Sequence, residues 1–117
     1  MKKILFVDDM PEIYNQIKIK KNIDYSSSLK DALDKIKENP NYTKIITDYH
    51  LGNKNPRGGL EILRESSERG IECILISMEN HRKEALKLGA KFMFKKDFLI
   101  ENGREKYVSS WRKNAVF

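Results

Sequence analysis

Short apolar runs alternate along this chain with stretches that carry their apolar residues on one helical face. Residues 4–7 form a continuous apolar run and read as a strand. Pro11, just after Met10, suits the first turn of a helix with Ile13 and Ile17 four apart. A short strand is expected near 23–25. Ser28 with Asp31 three residues on marks a helix start, Leu29, Ala32, Leu33 and Ile36 make its apolar face, and Asn39-Pro40 ends it. Residues 45–47 are the third strand, 53–59 a polar, Pro- and Gly-containing loop, and 60–69 a helix stopped by Gly70. Strands at 73–76 and 92–94 flank a short helix over 84–88 that closes on Gly89. Tyr107, Val108, Trp111 and Ala115 fall on one face of a last helix. The alternation predicts an α/β fold: a doubly wound, five-stranded parallel sheet with helices on both faces, three layers in all.

Length and composition narrow the picture. A chain of 117 residues predicts one domain, 1–117, burying about two-thirds of its unfolded surface. Hydrophobic residues make up 39% and charged residues 34%, and no apolar run approaches the ~20 residues that cross a membrane. Met1-Lys2-Lys3 resembles the start of a signal peptide, but only four apolar residues follow before two aspartates, so a cytoplasmic protein is expected. Cys73, the only cysteine, has no internal disulfide partner and reads as a buried strand thiol. The net charge of +6 raises nucleic acid as a partner, and Lys91, Lys95, Lys96, His81, Arg82, Lys83 and Lys87 are the densest basic stretch. Acidic residues interleave with the other lysines as on solvated helix faces, which argues against that partner.

The chemistry lies at the ends of the apolar runs. Asp8 and Asp9 follow the first strand and Asp48 ends the third, so in a parallel sheet the three carboxylates meet at its carboxyl edge, where open α/β folds bind ligands. Three anions at ~4–5 Å repel by roughly 3–4 kcal/mol per pair at an effective dielectric near 20, which calls for a cation or a shared proton. An all-oxygen donor set favours Mg²⁺ and points to phosphoryl chemistry.

Four segments then carry a resemblance: Ile4-Leu5-Phe6-Val7-Asp8-Asp9-Met10-Pro11, Ile45-Ile46-Thr47-Asp48-Tyr49-His50-Leu51-Gly52, Ile74-Leu75-Ile76-Ser77, and Gly89-Ala90-Lys91-Phe92-Met93-Phe94-Lys95-Lys96-Asp97-Phe98. In this order, over nearly the whole chain, they resemble the receiver domain of two-component response regulators. The resemblance implies a flavodoxin-like fold with Asp48 as phosphoacceptor, its carboxylate attacking the phosphoryl group of a phosphohistidine. It implies Mg²⁺ held by Asp9, Asp48 and the main-chain carbonyl of His50, with Asp8 acting mainly through water. Ser77 and Lys96 would contact phosphoryl oxygens; the family's lysine stands seven residues after the Gly of Gly-Ala, which selects Lys96 over Lys95. Alternation from core-facing Phe92 and Phe94 also separates Lys96 from Lys95.

The implied partners are a sensor histidine kinase or histidine phosphotransfer protein and a downstream protein target, with no catalysis beyond the domain's own phosphorylation and dephosphorylation. The chain departs from the family in several places. Met93 replaces the usual aromatic, Lys96-Asp97 the usual Lys-Pro, and the segment between Ser77 and Gly89 is shortened, which should shrink the fourth helix. His50 also stands close enough in sequence to affect attack by water. The expected protein is a stand-alone phosphoacceptor. Alternatives are a receiver cut from a longer regulator, a basic nucleic-acid-binding module with a degenerate receiver fold, and an aspartate-nucleophile phosphatase. The last would want Asp-x-Asp where the chain has Met10.

Overall fold

A computed structural model describes residues 3–18, 20–39 and 41–103. They form β1 (Lys3–Val7), α1 (Pro11–Asn15), β2 (Ile23–Ser26), α2 (Leu29–Glu38), β3 (Tyr42–Asp48), α3 (Gly58–Glu68), β4 (Glu72–Ser77), α4 (Arg82–Lys87), β5 (Lys91–Phe94) and α5 (Lys95–Asn102). The five strands make one parallel sheet in the order β2-β1-β3-β4-β5. The order reverses between β1 and β3, and the crevice outside the strand ends at such a switch point is where this architecture places ligands.

Each face of the sheet has its own core. Leu5, Val7, Ile45 and Leu75 pack under α2 and α3 with Ala32, Ile36, Ile62 and Leu63, while Phe6, Ile46 and Ile76 face Ile13, Phe98 and Leu99 on the other side. Strands buried on both faces explain why their sequence is apolar without alternation. Ser28 caps α2, its hydroxyl accepting from the Asp31 N–H at 3.2 Å. Gly70 follows α3 at φ +68°, a conformation that suits glycine.

Three features of the elements bear on the site. Helix α1 is a short five-residue helix, and Ile17 falls past its end, bridging Gly103 while remaining in the core. Helix α4 has six residues, in keeping with the shortened segment before Gly89. Helix α5 begins at Lys95, directly on the end of β5 with no intervening loop. The helix expected around Tyr107, Val108, Trp111 and Ala115 lies outside the described residues.

Candidate phosphoryl-transfer site

Strands β1 and β3 lie side by side with Val7 opposite Thr47, so Asp8, Asp9 and Asp48 leave the sheet together. Their carboxylates offer oxygens within 4.8 Å of one another. Helix α3 begins close behind them: the Gly59 N–H donates to the Tyr49 carbonyl at 2.9 Å, and a Cβ at position 59 would stand 2.3 Å from the Asp48 carbonyl oxygen. Only glycine allows the helix that close, which fixes the end of β3.

The three acids differ in surroundings. Asp8 is fully buried; its Oδ1 accepts from the Met10 N–H at 2.9 Å and its main-chain carbonyl accepts from the Tyr25 hydroxyl at 2.6 Å. Asp48 is nearly buried and its Oδ1 accepts from the Tyr49 N–H at 2.9 Å. Asp9 is half-buried and lines an open cleft of about 630 Å³ with Asp48, His50, Arg57, Ser77 and Lys95. Burial pushes the Asp8 carboxyl up to about 6, and the Asp48 charge adds to the rise. Burial also raises Asp48, against the opposing pull of Lys95.

The lysine at this cluster is Lys95, not Lys96. Its ammonium donates to Asp48 Oδ2 at 2.8 Å and stands 3.0 Å from Asp8 Oδ2, with only 5% of the residue exposed. Burial disfavours its charge, but the two carboxylates outweigh that and raise its pKa. Lys96 is exposed and lines a neighbouring hollow with Ser77, Met78, Phe94 and Asp97 that none of the three acids lines. Both grounds for Lys96 fail: the lysine at the acids stands six residues after Gly89 rather than seven, and alternation assumed an extended backbone through both lysines. The strand instead ends at Phe94, and Lys95 is the first residue of α5, where alternation no longer applies. The same displacement moves the slot three residues before the lysine from Met93 to Phe92. Met93 faces the core of Phe6 and Phe98, whereas Phe92 packs edge-to-face on Phe94 under the Arg82 guanidinium, 5.3 Å from its ring centroid.

Ser77, at the end of β4, is buried at the cleft, and its hydroxyl accepts from the Glu79 N–H at 3.1 Å. His50 is exposed and also lines the cleft. The expected basic patch is thinned, because Lys95 turns inward and Lys91 pairs with Glu72 at 3.0 Å. Tyr49, Arg57, Met78 and Glu79, given no part in the sequence reading, also line the cleft. His81, read in the sequence only as part of the basic stretch, lines it too. Tyr49 stacks face to face on His81, the ring centroids 3.5 Å apart. No local motif announces that contact, since α4's placement creates it.

Three carboxylates against one ammonium leave two negative charges, and Asp8 Oδ2 is buried without a hydrogen bond despite its ionic contact with Lys95. Hard oxygen donors with that charge fit a hard divalent cation.

The chain has the fold of response-regulator receiver domains. Among similar solved structures is the response regulator DrrB of Thermotoga maritima, with TM-score 0.67 at 20% identity over 85% of this chain, which spans about half (49%) of that one. A response regulator from Burkholderia pseudomallei, solved with a phosphorylated aspartic acid, a calcium ion and citrate, gives TM-score 0.65 at 15% identity over 99% of this chain and 74% of that one. A chain of the complex between the P1 domain of CheA3 and CheY6 from R. sphaeroides gives 0.62 at 21% identity, covering 96% of this chain and 95% of that one. No protein-family model matches the sequence, and no curated protein matches it. No helix among the described residues is long and apolar enough to cross a membrane.

Proposed function

We propose that this protein is a phosphoacceptor receiver of a two-component system or phosphorelay, taking a phosphoryl group onto Asp48 from a phosphohistidine. The observation that carries this is the Lys95 ammonium held between Asp8 and Asp48 at the floor of an open cleft, on a fold shared with response regulators. Asp9, Asp48 and the His50 carbonyl would hold Mg²⁺, with Asp8 behind them. Bound there, the ion supplies positive charge where phosphoryl oxygens gather. Asp48 Oδ1 is fixed by the Tyr49 N–H, so the carboxylate is oriented before a donor arrives. The attacking oxygen bonds to phosphorus as the bond to the donor imidazole breaks. Lys95 then turns from carboxylate to phosphoryl oxygen, and the Ser77 hydroxyl donates to another.

The domain in this reading catalyses only its own phosphorylation and dephosphorylation. Its partners are a sensor histidine kinase or histidine phosphotransfer protein and a downstream protein, met in the cytoplasm. The structural match to the CheA3 P1–CheY6 complex and the one with a phosphorylated aspartic acid support it. Incubation with acetyl phosphate and Mg²⁺, followed by intact mass spectrometry, should show one added phosphoryl group that Asp48→Asn lacks. Equal modification of Asp48→Asn would overturn the assignment.

A further inference from the structure

His81 lines the same cleft as Asp48, Ser77 and Lys95, and only 17% of its side chain is exposed. Its ring is held on two sides. Nδ1 lies 3.0 Å from Glu84 Oε1, and the ring lies flat on Tyr49 with 1° between planes. The Tyr49 hydroxyl donates to the other Glu84 oxygen at 3.2 Å, so one carboxylate holds both members of the stack. A face-to-face sandwich is not the arrangement aromatic rings prefer, which leaves Glu84 as the restraint. The remaining nitrogen, Nε2, has Glu79 Oε2 at 4.0 Å, too far for a hydrogen bond.

Resting on the reading of Asp48 as phosphoacceptor, we propose that His81 is the general base that hydrolyses its acyl phosphate, with Glu84 as a positioning residue. Donation from Nδ1–H to Glu84 leaves the lone pair on Nε2. Nε2 takes a proton from a water whose oxygen bonds to phosphorus. The bond between phosphorus and the Asp48 oxygen breaks, its electron pair returning to the carboxylate. The products are free aspartate and inorganic phosphate, and the imidazolium passes its proton to solvent. The charged groups that face the ring are Glu84 at Nδ1 and Glu79 near Nε2, and Arg57 lines the same cleft. The residue couples the lifetime of the signal to the placement of α4.

The test follows loss of the phosphoryl group by intact mass spectrometry after removal of acetyl phosphate, in Mg²⁺, between about pH 5.5 and 8.5, where histidine titrates. His81→Phe keeps a ring on Tyr49 without a base, and His81→Ala leaves a space. Both should lose the group on the order of 10²-fold more slowly than the unchanged protein, without its histidine limb in the pH profile. Free imidazole should restore speed to His81→Ala and not to His81→Phe. Circular dichroism identifies any unfolded variant, and either folded variant decides. Loading of Asp48 with unchanged decay in the variant would overturn the role of His81 alone. An unchanged protein that takes no phosphoryl group would overturn the Asp48 reading and this proposal together.

Discussion

Lys95 Nζ stands between two acids, 3.0 Å from Asp8 Oδ2 and 2.8 Å from Asp48 Oδ2. It therefore holds space and charge that a cation at the same carboxylates would share. Lys95→Met should strengthen Mg²⁺ binding on the order of tenfold by removing a like charge, yet slow the loading of Asp48 by roughly 10²-fold through loss of a phosphoryl contact. Lys96→Met should change neither by more than about twofold, as expected of an exposed charge. Titration calorimetry and the mass-spectrometric loading rate separate the two lysines. Impairment in Lys96→Met but not Lys95→Met would refute the placement.

Asp8 and Asp9 are neighbours with different tasks. Asp8 is enclosed, committed to the Met10 N–H and facing Lys95, whereas Asp9 opens to the cleft. Asp9→Ala should weaken Mg²⁺ binding on the order of 10²-fold and Asp8→Ala by roughly tenfold, the range of a supporting group. Equal losses in calorimetry would contradict a direct role for Asp9 alone.

The buried Asp8 gives the metal-free protein an acid preference. Its folded pKa of about 6 lies above the ordinary 3.8, so the folded state binds the proton more tightly. That contribution is fully present below pH 3.8 and is lost as pH rises through about 6, amounting to no more than about 3 kcal/mol. Asp48, also raised, acts in the same direction. Glu72, Glu84 and Asp31 are lowered and act oppositely, but their gain is complete by about pH 5. Melting temperature should therefore fall between about pH 5 and 7 without metal, recover on adding Mg²⁺, and vary less in Asp8→Asn. A melting temperature that climbs over that interval would count against the burial argument.

The sheet and the three acids were legible because a parallel strand buried on both faces is uniformly apolar, and every such run ends at one edge. Asp8, Asp9 and Asp48 each sit at a run's end. Lys95 was not legible, because α5 starts without a loop and without a capping side chain on Phe94, so nothing in the sequence marks where alternation stops. The Tyr49, His81 and Glu84 cluster was hidden for another reason. Its members are ordinary surface residue types, brought together by tertiary packing rather than by spacing.

Signal propagation is expected to run through α4. Tyr49 joins it to the acceptor, its N–H on Asp48 Oδ1 and its hydroxyl on Glu84. Phosphorylation would draw the Ser77 hydroxyl and Lys95 ammonium to new oxygens, and only such differential contacts shift a conformational equilibrium. Reversing a 1:99 population needs ~5.5 kcal/mol, so the weakest element near the site moves most readily. Helix α4 has six residues and buries only Ala85 among them, while Phe92 and Arg82 link it to β5. Hydrogen exchange with beryllofluoride and Mg²⁺ should change protection over 77–89 and around Lys95. Tyr49→Phe, which keeps the ring but not the hydroxyl, should reduce the change in α4 and leave that at Ser77. If protection changes only over 48–59, propagation through α4 is wrong, and Asp48 can still be the acceptor.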